Sequence, residues 1–337
     1  MKMYFPGFWH NASLVSGALF AYCALAADPA PTPAAGIGSP SANSSAMPPL
    51  QISDIPRHTQ AGPPPETGRG IPAPFPAKTN LPTLWLIGDS TVRNGTAGDG
   101  GNGQWGWGAP LVAFFDAAKI NVVNRAAGGT SARSFYNVNW KRIVELMKRG
   151  DVVIIQFGTN DGGDPTRSVG ELRGIGDETQ SITNRAGQPE TVHTYGWYVK
   201  QIITETRAKG ATPVVCSLIP RKSWDAAGHM QRAATTFAGW AGQVAQAEKA
   251  GFIDLNELIA RRYDALGKEA VDLLYFPRPT TANPRGEYVH TGWEGAVVNA
   301  EIVVSGLKAL KDNPVALFFS ARAKDIAPAE EKPAAAK

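Results

Sequence analysis

From residue 84 onward, short apolar runs alternate with longer stretches in which apolar residues recur at helical spacing. The runs at 84–88, 121–124, 152–157, 213–218 and 251–255 are rich in Val and Ile and bounded by Gly, Asp, Asn or Pro. Such runs predict strands buried on both faces. Residues 109–119, 140–149, 197–209, 233–250 and 294–310 predict helices. Regular β-α alternation with doubly buried strands implies a parallel sheet covered on both sides. In such a sheet the ligand site lies beyond the carboxyl ends of the strands. The polar stretch 164–192, with many Gly, Arg and Glu residues, interrupts the rhythm. It is expected to form a rim or lid on the substrate side.

Composition sharpens the boundaries. Of the 26 prolines, 13 fall between Asp28 and Asn80, whereas eight of the nine tryptophans come after Asn80. Residues 81–320 therefore predict one large domain, preceded by a Pro/Ala-rich disordered linker at 27–80 and followed by a disordered tail at 321–337. Residues 1–26 have the marks of a secretory signal peptide. Lys2 leads into an apolar run, and Ala24-Leu25-Ala26 fits a small-x-small cleavage site. The run is shorter than the ~20 residues that span a bilayer, which favours cleavage over anchoring. The residues before Cys23 match a lipobox poorly. Export then leaves Cys216 as a lone thiol, expected to be inert in the fourth predicted strand and to make no internal disulfide. The net charge of +4 is small and scattered, which argues against nucleic acid. A secreted or periplasmic monomer that is free of the membrane after cleavage is expected.

The chemistry gathers at strand ends. Gly88-Asp89-Ser90-Thr91 follows the first predicted strand, Ala127-Gly128-Gly129-Thr130-Ser131 the second, and Gly158-Thr159-Asn160-Asp161 the third. Glu287-Tyr288-Val289-His290 precedes the last helix. Together these segments hold the parts needed for acyl transfer. Ser90 offers a hydroxyl nucleophile, which needs a base to become reactive. His290 has a carboxylate, Glu287, three residues before it that could orient the ring. The backbone N–H groups of Ser90 and Gly129 and the side-chain amide of Asn160 could serve as an oxyanion hole. Each segment alone is commonplace; their joint occurrence at successive strand ends is not.

These residues resemble the SGNH (GDSL-like) hydrolase superfamily, whose four letters are Ser90, Gly129, Asn160 and His290. The similarity is greatest to the rhamnogalacturonan acetylesterase branch, through Gly129-Thr130-Ser131-Ala132-Arg133-Ser134, Phe157-Gly158-Thr159-Asn160-Asp161-Gly162-Gly163 and His290-Thr291 followed by Gly295-Ala296. It spans roughly residues 81–312. The resemblance implies a three-layer αβα sandwich with a flavodoxin-like, five-stranded parallel sheet. It also implies an acetylated pectic polysaccharide as substrate and no metal or cofactor. Carried over, Ser90 is the nucleophile, His290 the base, and Ser90, Gly129 and Asn160 the oxyanion hole. The family pattern has Asp where this chain has Glu287. Asp272 and a Ser90–His290 dyad therefore stay open as alternatives to a Glu287 triad. Trp105 and Trp293 are candidates for stacking on sugar rings, with packing of Trp105 and Trp107 against the sheet as the other reading. Arg133 is the candidate for a substrate carboxylate, with a structural ion pair as the other. His193 is not assigned a catalytic role.

Overall fold

The computed structural model describes Ile55, Arg57 and residues 74–95, 98 and 100–330. The expected signal peptide, most of the expected linker, and residues 331–337 lie outside these residues. Among the described residues no helix is long and apolar enough to cross a membrane.

Five strands form the central sheet. They are β1 (Thr83–Gly88), β2 (Asn121–Asn124), β3 (Val152–Gln156), β6 (Thr212–Cys216) and β7 (Gly251–Ile253). All pair in parallel, in the order β2-β1-β3-β6-β7. Period-two alternation divides their side chains between two cores. Leu84, Leu86, Val152 and Ile154 face one core, and Trp85, Ile87, Val153 and Ile155 face the other. The first core is covered by α1 (Gly108–Leu111), α6 (Leu255–Leu266), α7 (Lys268–Leu274) and α8 (Trp293–Ala309). The second is covered by α2 (Ala132–Phe135), α3 (Lys141–Leu146), α4 (Tyr195–Ala208) and α5 (Phe237–Ala247). This is the expected three-layer αβα sandwich. The chain runs from β1 outward to β2 and then returns past β1 to β3. The crevice at this reversal, beyond the strand ends, is where such sheets bind ligands.

Several predicted elements differ in extent. The helix expected over 109–119 is only α1 and one 3₁₀ turn, because Phe115 adopts an extended backbone. The helix expected from 140 begins earlier. Ser131 and Ser134 form a reciprocal capping box at the start of α2, which runs through a π-helical turn at Tyr136–Trp140 into α3. Thr194 caps α4, which begins two residues before the predicted start. The strand expected over 251–255 overreaches, since Asp254 is already the N-cap of α6.

The tail expected to be disordered from residue 321 is ordered to residue 330. The Lys308 Nζ donates to the carbonyls of Ala323 and Ile326, both at 2.6 Å, and Ala329 N donates to Ser305 O. Order also reaches into the expected linker. Lys78 exchanges two hydrogen bonds with the Asn121 side chain, and Ile55 is buried in the first core.

Candidate active site

Ser90 does not start a long helix. It sits in a single tight turn after β1, closed by Val92 N and Arg93 N donating to Asp89 O. A side chain at Gly88 would meet Gln156 O at 2.4 Å, so only glycine lets β1 pass β3 here before the turn. The Asp89 side chain is wholly buried and accepts from Thr91 N (2.8 Å) and Thr91 Oγ1 (2.7 Å). Thr91 Oγ1 in turn accepts from Gln156 Nε2, and Gln156 Oε1 accepts from Trp107 Nε1. This interior chain of hydrogen bonds fixes the turn that presents Ser90. Burial, only partly offset by the Thr91 bonds, pushes the Asp89 carboxyl up to about 6.

His290 arrives from the other end of the chain. Thr291, its neighbour, is locked to the Trp105 segment: Trp105 N donates to Thr291 O, and Thr291 Oγ1 donates to Trp105 O. His290 Nε2 then lies 2.9 Å from Ser90 Oγ, a full hydrogen bond between residues 200 positions apart. Glu287 Oε1 stands 3.7 Å from His290 Nδ1, an ion-pair separation longer than a hydrogen bond. This oxygen instead accepts from the backbone N–H groups of Tyr288, Val289 and His290, at 2.9, 2.7 and 3.3 Å. Gln104 Nε2 approaches its other oxygen at 3.4 Å. Burial raises the Glu287 carboxyl, but these backbone donors and the His290 ring outweigh it and hold it below the ordinary range. Asp272 is engaged elsewhere, 2.7 Å from Lys222 Nζ.

Gly129 and Asn160 line a cleft of about 730 Å³ together with Ser90 and His290. Gly129 has φ +76 and open space where a side chain would begin, so its peptide can approach a ligand closely. Asn160 Nδ2 donates one hydrogen to Thr130 O at 3.0 Å, leaving the second for a substrate. Asp161, beside it, accepts from Ala132 N and Gly158 N, both at 2.8 Å, tying the Asn160 loop to the start of α2. Glu171 lies against Asp161 in the interior. Burial first, then the neighbouring Asp161 charge, pushes the Glu171 carboxyl well above its ordinary value. Sequence reasoning gave Asp161 no role of its own and passed over Glu171, because a buried carboxyl pair leaves no spacing signature.

The residues expected to contact substrate, Trp105, Trp293 and Arg133, are buried away from the cleft lining. Trp105 and Trp293 are buried and pack edge to face on each other, with ring centroids 4.7 Å apart. Neither lines the cleft. Trp107 is wholly buried, as the packing reading expected. Arg133 is also buried and makes a two-pronged pair with Glu190, Nε–Oε1 2.7 Å and Nη2–Oε2 2.9 Å. Its Nη1 donates to Pro165 O and Gly170 O. Arg133 therefore clamps the 164–192 insertion onto α2, which is the structural ion pair. The insertion itself ends in an antiparallel hairpin, β4 (Thr179–Thr183) and β5 (Pro189–His193), and no residue of 164–192 lines the Ser90 cleft. His193 stacks on Trp197 at 3.7 Å, away from the cleft lining. Cys216 is fully buried, and burial pushes its thiol up, so it stays unreactive.

Residues 86–295 match the GDSL-like Lipase/Acylhydrolase family. The chain is 31% identical over 239 residues to the rhamnogalacturonan acetylesterase of Emericella nidulans, covering 70% of this chain and 87% of that protein. It is 30% identical over 228 residues to the probable rhamnogalacturonan acetylesterase YesY of Bacillus subtilis, covering 67% of this chain and 93% of that one. The crystal structure of protein YxiM from Bacillus subtilis superposes with a TM-score of 0.53 at 24% identity, over 68% of this chain and 56% of that one. At that identity the superposition speaks to the fold.

Proposed function

The chain belongs to the GDSL-like lipase/acylhydrolase family and is an ester hydrolase, and from that premise we propose that it is an exported acetylesterase acting on rhamnogalacturonan through an acetyl-Ser90 intermediate. The observation that carries the chemistry is the 2.9 Å contact between Ser90 Oγ and His290 Nε2, at the mouth of a cleft shared with Gly129 and Asn160. His290 Nε2 takes the Ser90 proton as Oγ attacks the acetyl carbonyl. The charge that forms on the carbonyl oxygen is met by the N–H groups of Ser90 and Gly129 and by the Asn160 amide. The C–O bond to the sugar breaks, and the sugar oxygen leaves with the proton from Nε2. Water then repeats the sequence on the acetyl-enzyme, releasing acetate and restoring Ser90. Glu287 favours the imidazolium formed in each step by its charge, at ion-pair distance. The substrate assignment is supported by the two relatives named as rhamnogalacturonan acetylesterases. Export is supported by the signal-peptide pattern of residues 1–26.

The test is a panel of acetylated polysaccharides, rhamnogalacturonan and xylan among them, assayed for acetate release by wild type and Ser90→Ala. Preference for rhamnogalacturonan with loss of release in the variant is expected. Equal release by the variant removes the mechanism, and preference for xylan removes the substrate.

A further inference from the structure

The wall of the Ser90 cleft has a charge imbalance that ester cleavage alone does not require. Arg93, Arg125, Arg142 and Arg221 all line it, and among the described residues no Asp or Glu does. Their places follow from the topology. Arg93 ends the Ser90 turn after β1, Arg125 follows β2 directly, and Arg142 lies on α3. Arg221 follows β6, and its Nη2 donates to Thr159 O at 2.9 Å, beside Asn160. In sheet order, Arg125 thus stands on the β2 side of Ser90 and Arg221 on the β6 side.

The group of three is close enough for its members to feel one another. Burial, and after it the like charges of Arg142 and Arg93, bring the Arg125 guanidinium down to about 10, which leaves it charged at neutral pH. Arg125 is also held in place. Its Nη1 donates to Pro74 O at 3.2 Å, and its guanidinium lies 5.2 Å from the centre of the Phe75 ring. A fixed cation among like charges, with no Asp or Glu among the described lining residues, is an arrangement that an arriving anion relieves. Guanidinium presents a planar fork of donors that matches a carboxylate in two parallel hydrogen bonds. A compact anion would need the cations to converge on one point. Here Arg125 and Arg221 follow strands on opposite sides of β1, which carries the nucleophile, and this suits a chain carrying carboxylates at intervals.

We propose that Arg93, Arg125 and Arg142 form a subsite for the carboxylates of a polyuronate chain, with Arg221 as a second contact across Ser90. This rests on Ser90 being the deacetylating centre and names what makes the cleft prefer an acidic polysaccharide over a neutral one. It also moves substrate recognition away from Arg133.

The direct test uses full-length protein carrying Ser90→Ala, titrated calorimetrically with unacetylated oligogalacturonate, with a xylo-oligosaccharide of equal length, and with inorganic phosphate. Oligogalacturonate should bind most tightly, with an affinity that falls as salt is added. Adding Arg142→Gln, at an exposed position, should weaken that binding about five-fold, a change in the range expected of one partly screened charge contact. Adding Arg125→Gln should weaken it further. In the Ser90-intact enzyme the same substitutions should lower the kcat/KM ratio of acetylated rhamnogalacturonan to acetylated xylan by a similar factor, chiefly through KM. Equal affinity for the acidic and neutral oligomers would overturn the proposal. So would binding indifferent to both substitutions, or phosphate that binds as tightly as the oligomer. Oligogalacturonate bound with these properties by a protein that releases no acetate would sink the esterase reading and uphold the subsite.

Discussion

Replacing Glu287 by Gln tests what an ion pair at 3.7 Å can contribute to a histidine base. The substitution keeps the side chain's size and one oxygen that can still accept from the backbone N–H groups of Tyr288, Val289 and His290, and it removes the charge. A unit charge 3.7 Å from the imidazolium contributes about 4.5 kcal/mol at an effective dielectric of 20. The His290 and Glu287 side chains are 26% and 20% exposed, and water at so open a site reduces this to about 1–2 kcal/mol. Since 1.36 kcal/mol corresponds to a factor of ten in rate, kcat should fall roughly ten-fold. A carboxylate in direct hydrogen bond to Nδ1, which sets the ring's tautomer, would instead account for about 10⁴-fold. The assay is steady-state hydrolysis of 4-nitrophenyl acetate by wild type, Glu287→Gln and Ser90→Ala, with far-UV circular dichroism to establish folding. A folded Glu287→Gln enzyme as inactive as Ser90→Ala would refute a purely electrostatic role for Glu287. An unchanged rate would refute it from the other side and leave a Ser90–His290 dyad.

Other consequences concern the scaffold. Because the Asp89 carboxyl is raised from 3.8 to about 6, the folded protein keeps a proton that the unfolded chain releases. Stability from this group is full below pH 4 and is lost as pH rises to 6, by about 3 kcal/mol. Denaturant titrations should show that loss in wild type relative to Asp89→Asn; parallel pH profiles would refute it. Arg133→Ala leaves Glu190 without its two-pronged partner and frees the carbonyls of Pro165 and Gly170. It should cost about 3 kcal/mol and speed amide exchange across 164–193, and normal protection there would contradict the clamp. Gly88→Ala forces a methyl to 2.4 Å from Gln156 O and 2.6 Å from Val92 Cγ2. A loss of roughly 3 kcal/mol or failure to fold is expected, and a thermal midpoint equal to wild type would show that β1 can shift.

The sheet was legible in the sequence because its inner strands β1, β3 and β6 are buried on both faces, so Val153-Ile154-Ile155 and Val214-Val215 read as unbroken apolar runs. The four site segments were legible for the same reason, since each follows such a run or precedes the last helix. The β4–β5 hairpin was not, because its strands TQSIT and PETVH bury only Ile182 and Val192 and carry no alternating signal. The helix α6 was missed although its sequence announced it: Asp254 caps it, and Leu255, Ile259 and Tyr263 share its buried face. The role of Arg133 depends on Glu190, 57 residues away, and no local pattern specifies such a pair. Tryptophan-rich loops looked like sugar platforms, yet Trp105 and Trp293 satisfy each other in the core. The cleft arginines were invisible for a related reason. Arg93, Arg125, Arg142 and Arg221 come from four separate elements, and only the strand order brings them together.

The central claim is that Ser90 carries the acetyl group of rhamnogalacturonan during turnover. Acid quenching of the enzyme during turnover of acetylated rhamnogalacturonan, followed by peptide mass spectrometry, tests it most directly. The expected result is the mass of one acetyl group on the peptide containing Ser90, absent from Ser90→Ala, which should also release no acetate. Continued acetate release by Ser90→Ala, with no acetylated Ser90 peptide trapped from wild type, would contradict it.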